Sequence, residues 1–186
     1  VTGPTLTTDR LLLRPHQLDD FEALLALWMD PVVVRHTIGR PASREETWTR
    51  LLRYIGHWQA LGFGYWAVTL REDGRYIGAA GFADYHRDID PPIGAVPEAG
   101  WALMPAAHGK GLATEAVDRM HQWAAEATQW DRTCCLLDPE NAASVKVARK
   151  LGYQPSHDAL YREEPTLVMT RTIELLPNVW TGFRVN

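Results

Sequence analysis

Cysteine is scarce in this chain: of 186 residues only Cys134 and Cys135 carry thiols, and they are adjacent. Neighbouring cysteines cannot staple distant segments, so a disulfide framework is excluded, and their run, 133-TCCLL-137, reads as a buried strand. Metal-ligand spacing is missing too. The seven histidines include no H-E-x-x-H, and no cysteine/histidine pairs stand beside them, so no metal is expected. There is no lysine/arginine block and the formal net charge is −4, which removes bulk attraction to nucleic acid or an anionic membrane. No run approaches the ~20 apolar residues of a membrane span. The opening 1-VTGPTLTTDR-10 lacks the layout of a signal peptide, so a cytoplasmic protein is the expectation.

What is present suits one soluble domain, with 46% hydrophobic and 23% charged residues. Tryptophans at 28, 48, 58, 66, 101, 123, 130 and 180 are scattered, which favours packing and pocket walls over a base-stacking platform. The segment 5-TLTTDRLLLRP-15 predicts a first strand stopping at Pro15, and 18-LDDFEALLALWMD-30 predicts a helix ended by Pro31. A second helix over 43–62 opens with Ser43 three residues before Glu46, the spacing of a capping box, and stops near Gly62. Segments 64–70 and 75–85 flank the turn 71-REDG-74 and predict an antiparallel hairpin. A loop over 88–97 leads to a strand near 98–104. A helix is expected over 111–127, with Ala113, Val117, Met120 and Ala124 on one face. A strand at 132–137, a helix from Asn141 to Leu151 closed by Gly152, and a final strand at 166–172 complete the order. The pattern predicts an α/β (α+β) fold around a mixed central sheet.

Chemistry concentrates in 108-HGKGLATEA-116. A Walker loop needs a glycine where Met104 stands and a Ser or Thr where Gly111 stands, so it is excluded. The dinucleotide fingerprint needs a small residue where Thr114 stands and a parallel βαβ setting, and the preceding strands look antiparallel. Two readings survive. Gly109 and Gly111 let a ligand approach the backbone at a helix start, which is an anion site, or they form an ordinary strand-to-helix turn.

The segment resembles motif A of the GNAT-type N-acetyltransferases, Gln/Arg-x-x-Gly-x-Gly/Ala, as His108-x-x-Gly111-x-Ala113, with a departure at the first position. The stretches 7-TTDRLLLRP-15, 27-LWMDPVVVRHTIGRPASREE-46, 109-GKGLATEA-116 and 141-NAASVKVARKLGY-153 resemble, in order, its RimJ/RimL-like branch of ribosomal-protein alanine acetyltransferases. The likeness covers about residues 5–173. It implies a single domain over 1–173, with a mostly antiparallel sheet of about seven strands, flanked by helices and splayed at the strands over 98–104 and 132–137.

The resemblance further implies acetyl-CoA as donor and a primary amine as acceptor, either a protein N-terminus or a small molecule. Backbone groups from Trp101 to Leu103 would pair with the pantetheine arm. The pyrophosphate would sit on the amides of His108, Gly109, Lys110, Gly111, Leu112, Ala113 and Thr114. Asn141 matches the asparagine that bonds the pantetheine region, although it also suits the N-cap of the following helix. Glu98, at the start of the central strand, is the candidate base. Many relatives carry a tyrosine as general acid seven residues after the asparagine, where this chain has Ala148. Ser144, from the Asn-x-x-Ser pattern, is the substitute candidate. The missing tyrosine leaves a second reading, a non-catalytic acyl-CoA-binding regulator. Acceptor choice is expected near 35-RHTIGRP-41 and in the loop carrying Asp84, His86, Asp88 and Asp90. The tail over 174–186 lies beyond the resemblance, and its Trp180 and Phe183 are expected either to dock on this domain or on a second subunit of a homodimer, or to stay disordered.

Overall fold

Leu6, Leu11 and Leu13 are buried while Asp9 and Arg10 turn outward, and this splits the expected first strand in two. The Thr8 amide donates to the Leu11 carbonyl at 3.0 Å, folding β1 (Leu6–Thr7) back on β2 (Leu11–Pro15) with Leu6 opposite Leu13. The computed structural model describes residues 3–174, so the expectations for Trp180 and Phe183 lie outside the described residues.

A short 3₁₀ turn leads into α1 (Phe21–Met29). Pro31 ends that helix but also starts another, α2 (Pro31–Val34). Asp30 caps it, Oδ1 accepting from the amides of Val32 at 2.9 Å and Val33 at 3.3 Å, with proline at the first position where no N–H is needed. In α3 (Arg44–Leu61) the capping box forms as expected: the Glu46 amide donates to Ser43 Oγ at 3.1 Å, and the Ser43 amide to Glu46 Oε2 at 2.7 Å. Gly62 closes the helix at φ 75°.

The hairpin is β3 (Tyr65–Leu70) and β4 (Tyr76–Ala83), and the loop after it carries a two-residue strand, β5 (Ile89–Asp90). Then come β6 (Glu98–Leu103), α4 (Leu112–Ala127), β7 (Arg132–Leu137) and α5 (Ala142–Lys150). The single final strand expected from sequence is instead a hairpin, β8 (Gln154–Tyr161) and β9 (Glu164–Thr172). Its turn residues, Arg162 and Glu163, sit at φ 55° and 66°. Glycine or asparagine normally signals that conformation, and neither is present.

Among the described residues the sheet has nine strands, in the order β1-β2-β3-β4-β6-β7-β9-β8-β5, where about seven were expected. Every pairing is antiparallel except β6 with β7. Helices α1 to α3 cover one face through Leu24, Trp28, Leu51 and Tyr54, packed on Tyr65, Ala79 and Ala83. On the other face α4 and α5 bury Val117, Met120, Ala124 and Ala148 against Trp66, Phe82 and Met169. Because β4 is buried on both faces, it is built of small residues, 78-GAAG-81, where helices press from either side. Three of the scattered tryptophans meet on the α4 side: Trp66 lies 4.7 Å from Trp58 and 5.1 Å from Trp123 between ring centroids, edge to face. No helix among the described residues is long and apolar enough to cross a membrane.

Candidate active site

Strands β6 and β7 run side by side only at their beginnings. Glu98 lies opposite Cys134, whose amide donates to the Pro97 carbonyl at 3.0 Å, and among the described residues no further pair joins them. Beyond that point β6 pairs only with β4, so its other edge from Gly100 to Leu103 faces a gap. Gly100, Trp101 and Ala102 are half-buried there. An unpaired strand edge in a half-buried gap supplies donors and acceptors to an extended chain, as an added strand would.

At the wide end of the gap, β6 runs into the glycine turn. A 3₁₀ turn over Pro105–Ala107 is followed by His108, whose Nε2–H donates to the Leu103 carbonyl at 2.7 Å. Gly109 and Gly111 take φ values of 73° and 77°, a region that favours glycine. Gly111 N-caps α4 with no side-chain cap, so among the described residues the amides of Leu112, Ala113 and Thr114 at the start of this 16-residue helix have no protein acceptor. The hairpin β1–β2 braces this turn from behind. Arg10 donates to the Lys110 carbonyl at 2.9 Å and to Glu115 Oε2 at 2.7 Å, while Thr8 Oγ1 donates to Glu115 Oε1 at 2.6 Å. Burial works against the Glu115 carboxylate, but these bonds outweigh it and hold its pKa below the ordinary value. The arrangement is a rigid frame around free amides at a positive helix end, and it fits a phosphate group.

Asn141 caps α5: its Oδ1 accepts from the Ser144 amide at 3.1 Å, leaving its amide nitrogen and the Ser144 hydroxyl without a protein partner among the described residues. Ala148 is fully buried and offers no proton. Tyr153 lies in the core, its hydroxyl bonded to His121 Nε2 and Thr133 Oγ1, both at 2.8 Å. Cys134 and Cys135 are buried, and burial pushes the Cys134 thiol up to about 12, so neither is a ready nucleophile.

Glu98 is buried at the apex of the gap, and Arg87 holds both of its oxygens, Nε to Oε2 at 2.6 Å and Nη2 to Oε1 at 2.7 Å. Burial works against the charged guanidinium, yet the bonds to Glu98 prevail and raise the Arg87 pKa above its ordinary value. The pair fixes the orientation of the carboxylate at the apex and ties it to the loop after β4. Of the loop acids proposed for acceptor recruitment, Asp84 is engaged locally, with Oδ1 accepting from the His86 amide at 3.2 Å.

Two functional candidates escaped the sequence reading as individuals. His36, inside the segment 35–41, has Nδ1 2.6 Å from Oδ2 of Asp138, the residue after β7. The two are 102 positions apart, and Arg87 reads as one more loop cation, so no local pattern reveals either partnership.

Residues 10–154 match the model of the acetyltransferase (GNAT) domain, well over half the chain, and the chain belongs to this family of acyl-CoA-dependent acetyltransferases. It is 28% identical over 151 residues to the uncharacterized N-acetyltransferase p20 of Bacillus licheniformis, covering 81% of this chain and 82% of that one. Among solved structures, a putative GNAT-family acetyltransferase from Bordetella pertussis superposes with a TM-score of 0.80 at 27% identity, covering 90% of this chain and 99% of the other. RimL, an L7/L12 α-N-protein acetyltransferase solved in complex with coenzyme A, shares the fold with a TM-score of 0.75 at 17% identity, over 91% of this chain and 98% of RimL.

Proposed function

We propose that this chain transfers the acetyl group of acetyl-CoA to a primary amine, on a protein N-terminus or a small molecule, by direct attack while donor and acceptor are both bound. The single observation that carries this is the continuity of the gap with the amide frame: an unpaired edge from Gly100 to Leu103 leads straight to the free amides of Leu112, Ala113 and Thr114. In this reading the pantetheine arm lies along Trp101 and Leu103. The pyrophosphate rests on the turn formed by His108, Gly109, Lys110, Gly111, Leu112, Ala113 and Thr114, and Asn141 and Ser144 face the arm from α5.

The thioester is already activated, so the protein's task is alignment of an uncharged amine and management of one proton. Ser144 offers a hydroxyl to the departing sulfur. Glu98, sealed in its pair with Arg87, anchors the acceptor-side loop to β6 and keeps the apex rigid. A cytoplasmic setting suits a CoA-dependent reaction and is part of the proposal.

The test is thiol release from acetyl-CoA across a panel of peptides and small amines, beside calorimetric binding of CoA. Turnover with at least one amine class is expected. Tight CoA binding with no turnover across the panel points to a regulator instead, and absence of CoA binding removes the proposal.

A further inference from the structure

We infer that His36, oriented by Asp138, carries the proton of the reaction from the attacking amine to the departing sulfur. This rests on the acetyltransferase reading above.

The pair is built rather than incidental. Asp138 Oδ1 accepts from the Glu140 amide at 2.8 Å, and the Asp138 backbone carbonyl accepts from the Asn141 amide at 2.9 Å. The carboxylate is thus fixed by the same turn that presents Asn141. Its Oδ2 faces His36 Nδ1 at 2.6 Å, a charge-assisted distance. Burial works against this carboxylate, but the bonds from His36 and Glu140 prevail and lower its pKa, so it is an anion at neutral pH. With Nδ1–H donating to it, the ring is held with Nε2 turned away from the carboxylate, and among the described residues Nε2 has no hydrogen-bond partner. The titratable and charged groups acting on this carboxylate are His36 and Arg35. The side chains are 23% and 31% exposed, reachable without being fully solvated.

Position supports the role. His36 comes from the α1–α3 layer, which packs on β3, β4 and β6, whereas Asp138 ends β7 on the opposite wall. Their bond therefore joins the α1–α3 layer to the end of β7. Of the other candidates, Ala148 has no proton to give, Glu98 is paired through both oxygens with Arg87, and the Ser144 hydroxyl is left to hydrogen-bond the departing sulfur. An imidazole oriented by a carboxylate can take a proton and return it within one reaction. The amine lone pair forms the N–C bond at the thioester carbonyl carbon. The C–S bond then breaks with its electron pair on sulfur. The N–H proton moves to Nε2 and from there to the thiolate, leaving an amide, a free thiol and the starting imidazole.

The experiment compares wild type, His36→Gln, His36→Ala and Asp138→Asn as full chains, using acetyl-CoA with the best amine from the panel. His36→Gln is expected to lower kcat by about 100-fold or more, to keep CoA affinity within about twofold, and to lose the acid limb of the kcat/KM profile. Asp138→Asn should lower kcat in the same direction without a matching rise in KM. Free imidazole should restore part of the His36→Ala rate, which a purely structural contact would not allow. Wild-type kcat and pH profile in His36→Gln overturn the inference while leaving the acetyltransferase reading intact. A wild type that turns over no amine overturns both.

Discussion

Arg87 holds Glu98 through two parallel bonds of 2.6 and 2.7 Å while its guanidinium lies over Tyr85 and Tyr161, 4.5 and 4.7 Å from the ring centroids. One side chain thereby ties the loop after β4 to the apex of the gap and to the end of β8. Planar, bidentate and stacked contacts of this kind are specific to arginine.

Breaking the pair from one side should therefore be costly. Arg87→Met leaves a buried carboxylate uncompensated, and the expected loss is about 3–5 kcal/mol. Arg87→Met/Glu98→Gln removes the stranded charge and should recover at least half of that. Guanidinium denaturation of the wild type, both single variants and the double variant measures the coupling. An unchanged midpoint in Arg87→Met would mean the bonds contribute nothing net.

The phosphate frame can be tested separately from general backbone strain. A Cβ at Gly111 comes no closer to a neighbour than 3.6 Å, at Arg10 Nη2, so Gly111→Val is opposed by its φ of 77° rather than by a clash. Gly94, at φ 72° with nothing within 4 Å, poses the same backbone strain in the loop between β5 and β6. Gly111→Val is expected to weaken CoA binding by at least tenfold, about 1.4 kcal/mol, and Gly94→Val to leave it unchanged. Calorimetry that finds equal CoA affinity in Gly111→Val and wild type removes the frame from the binding site.

Much of this arrangement is legible along the chain, and the illegible parts share a cause. The capping box of α3, the hairpin β3–β4, the glycine turn and the Asn141 cap are local: each is written in residues a few positions apart. Resemblance to a family, more than periodicity, located the splay between β6 and β7. Hairpin β8–β9 was missed because Arg162 and Glu163 adopt positive φ without glycine or asparagine, and Pro155 interrupts β8. The Glu98–Arg87 and His36–Asp138 pairs depend on side chains meeting across loops, which local spacing does not encode.

Acid should destabilise the fold through two buried imidazoles. His121 donates Nδ1–H to the Val117 carbonyl at 2.7 Å and His16 donates Nδ1–H to the Tyr65 carbonyl at 3.2 Å. Burial lowers each from 6.5 to about 4. The unfolded chain binds these protons first, so the stabilisation is complete above about pH 6.5 and is lost as pH falls toward 4, roughly 3 kcal/mol per histidine. His121→Gln removes one titrating group and should flatten the fall in Tm between pH 7 and pH 4.5 (~1 proton fewer). An identical slope in the variant would assign the acid sensitivity to other groups.

Gly100 offers a test of how tightly the gap wall is built. A Cβ there would lie 2.0 Å from Tyr65 Oη, and Tyr65 has little freedom to retreat: it is buried and stacks on Tyr54 with ring centroids 4.5 Å apart and planes 1° from parallel. Gly100→Ala must either displace that hydroxyl or push β6 toward the gap. Overpacking of this kind costs about 1–3 kcal/mol. The contact is with the hydroxyl oxygen, whereas the nearest ring carbon, Cζ, stands 3.2 Å away. Gly100→Ala/Tyr65→Phe should therefore recover most of the loss in a denaturation assay. If β6 yields instead, Gly100→Ala will weaken CoA binding even where stability is kept, because the edge proposed to carry the pantetheine arm has moved. Unchanged stability together with unchanged CoA affinity in the single variant would show that neither strand nor ring is held as the geometry requires.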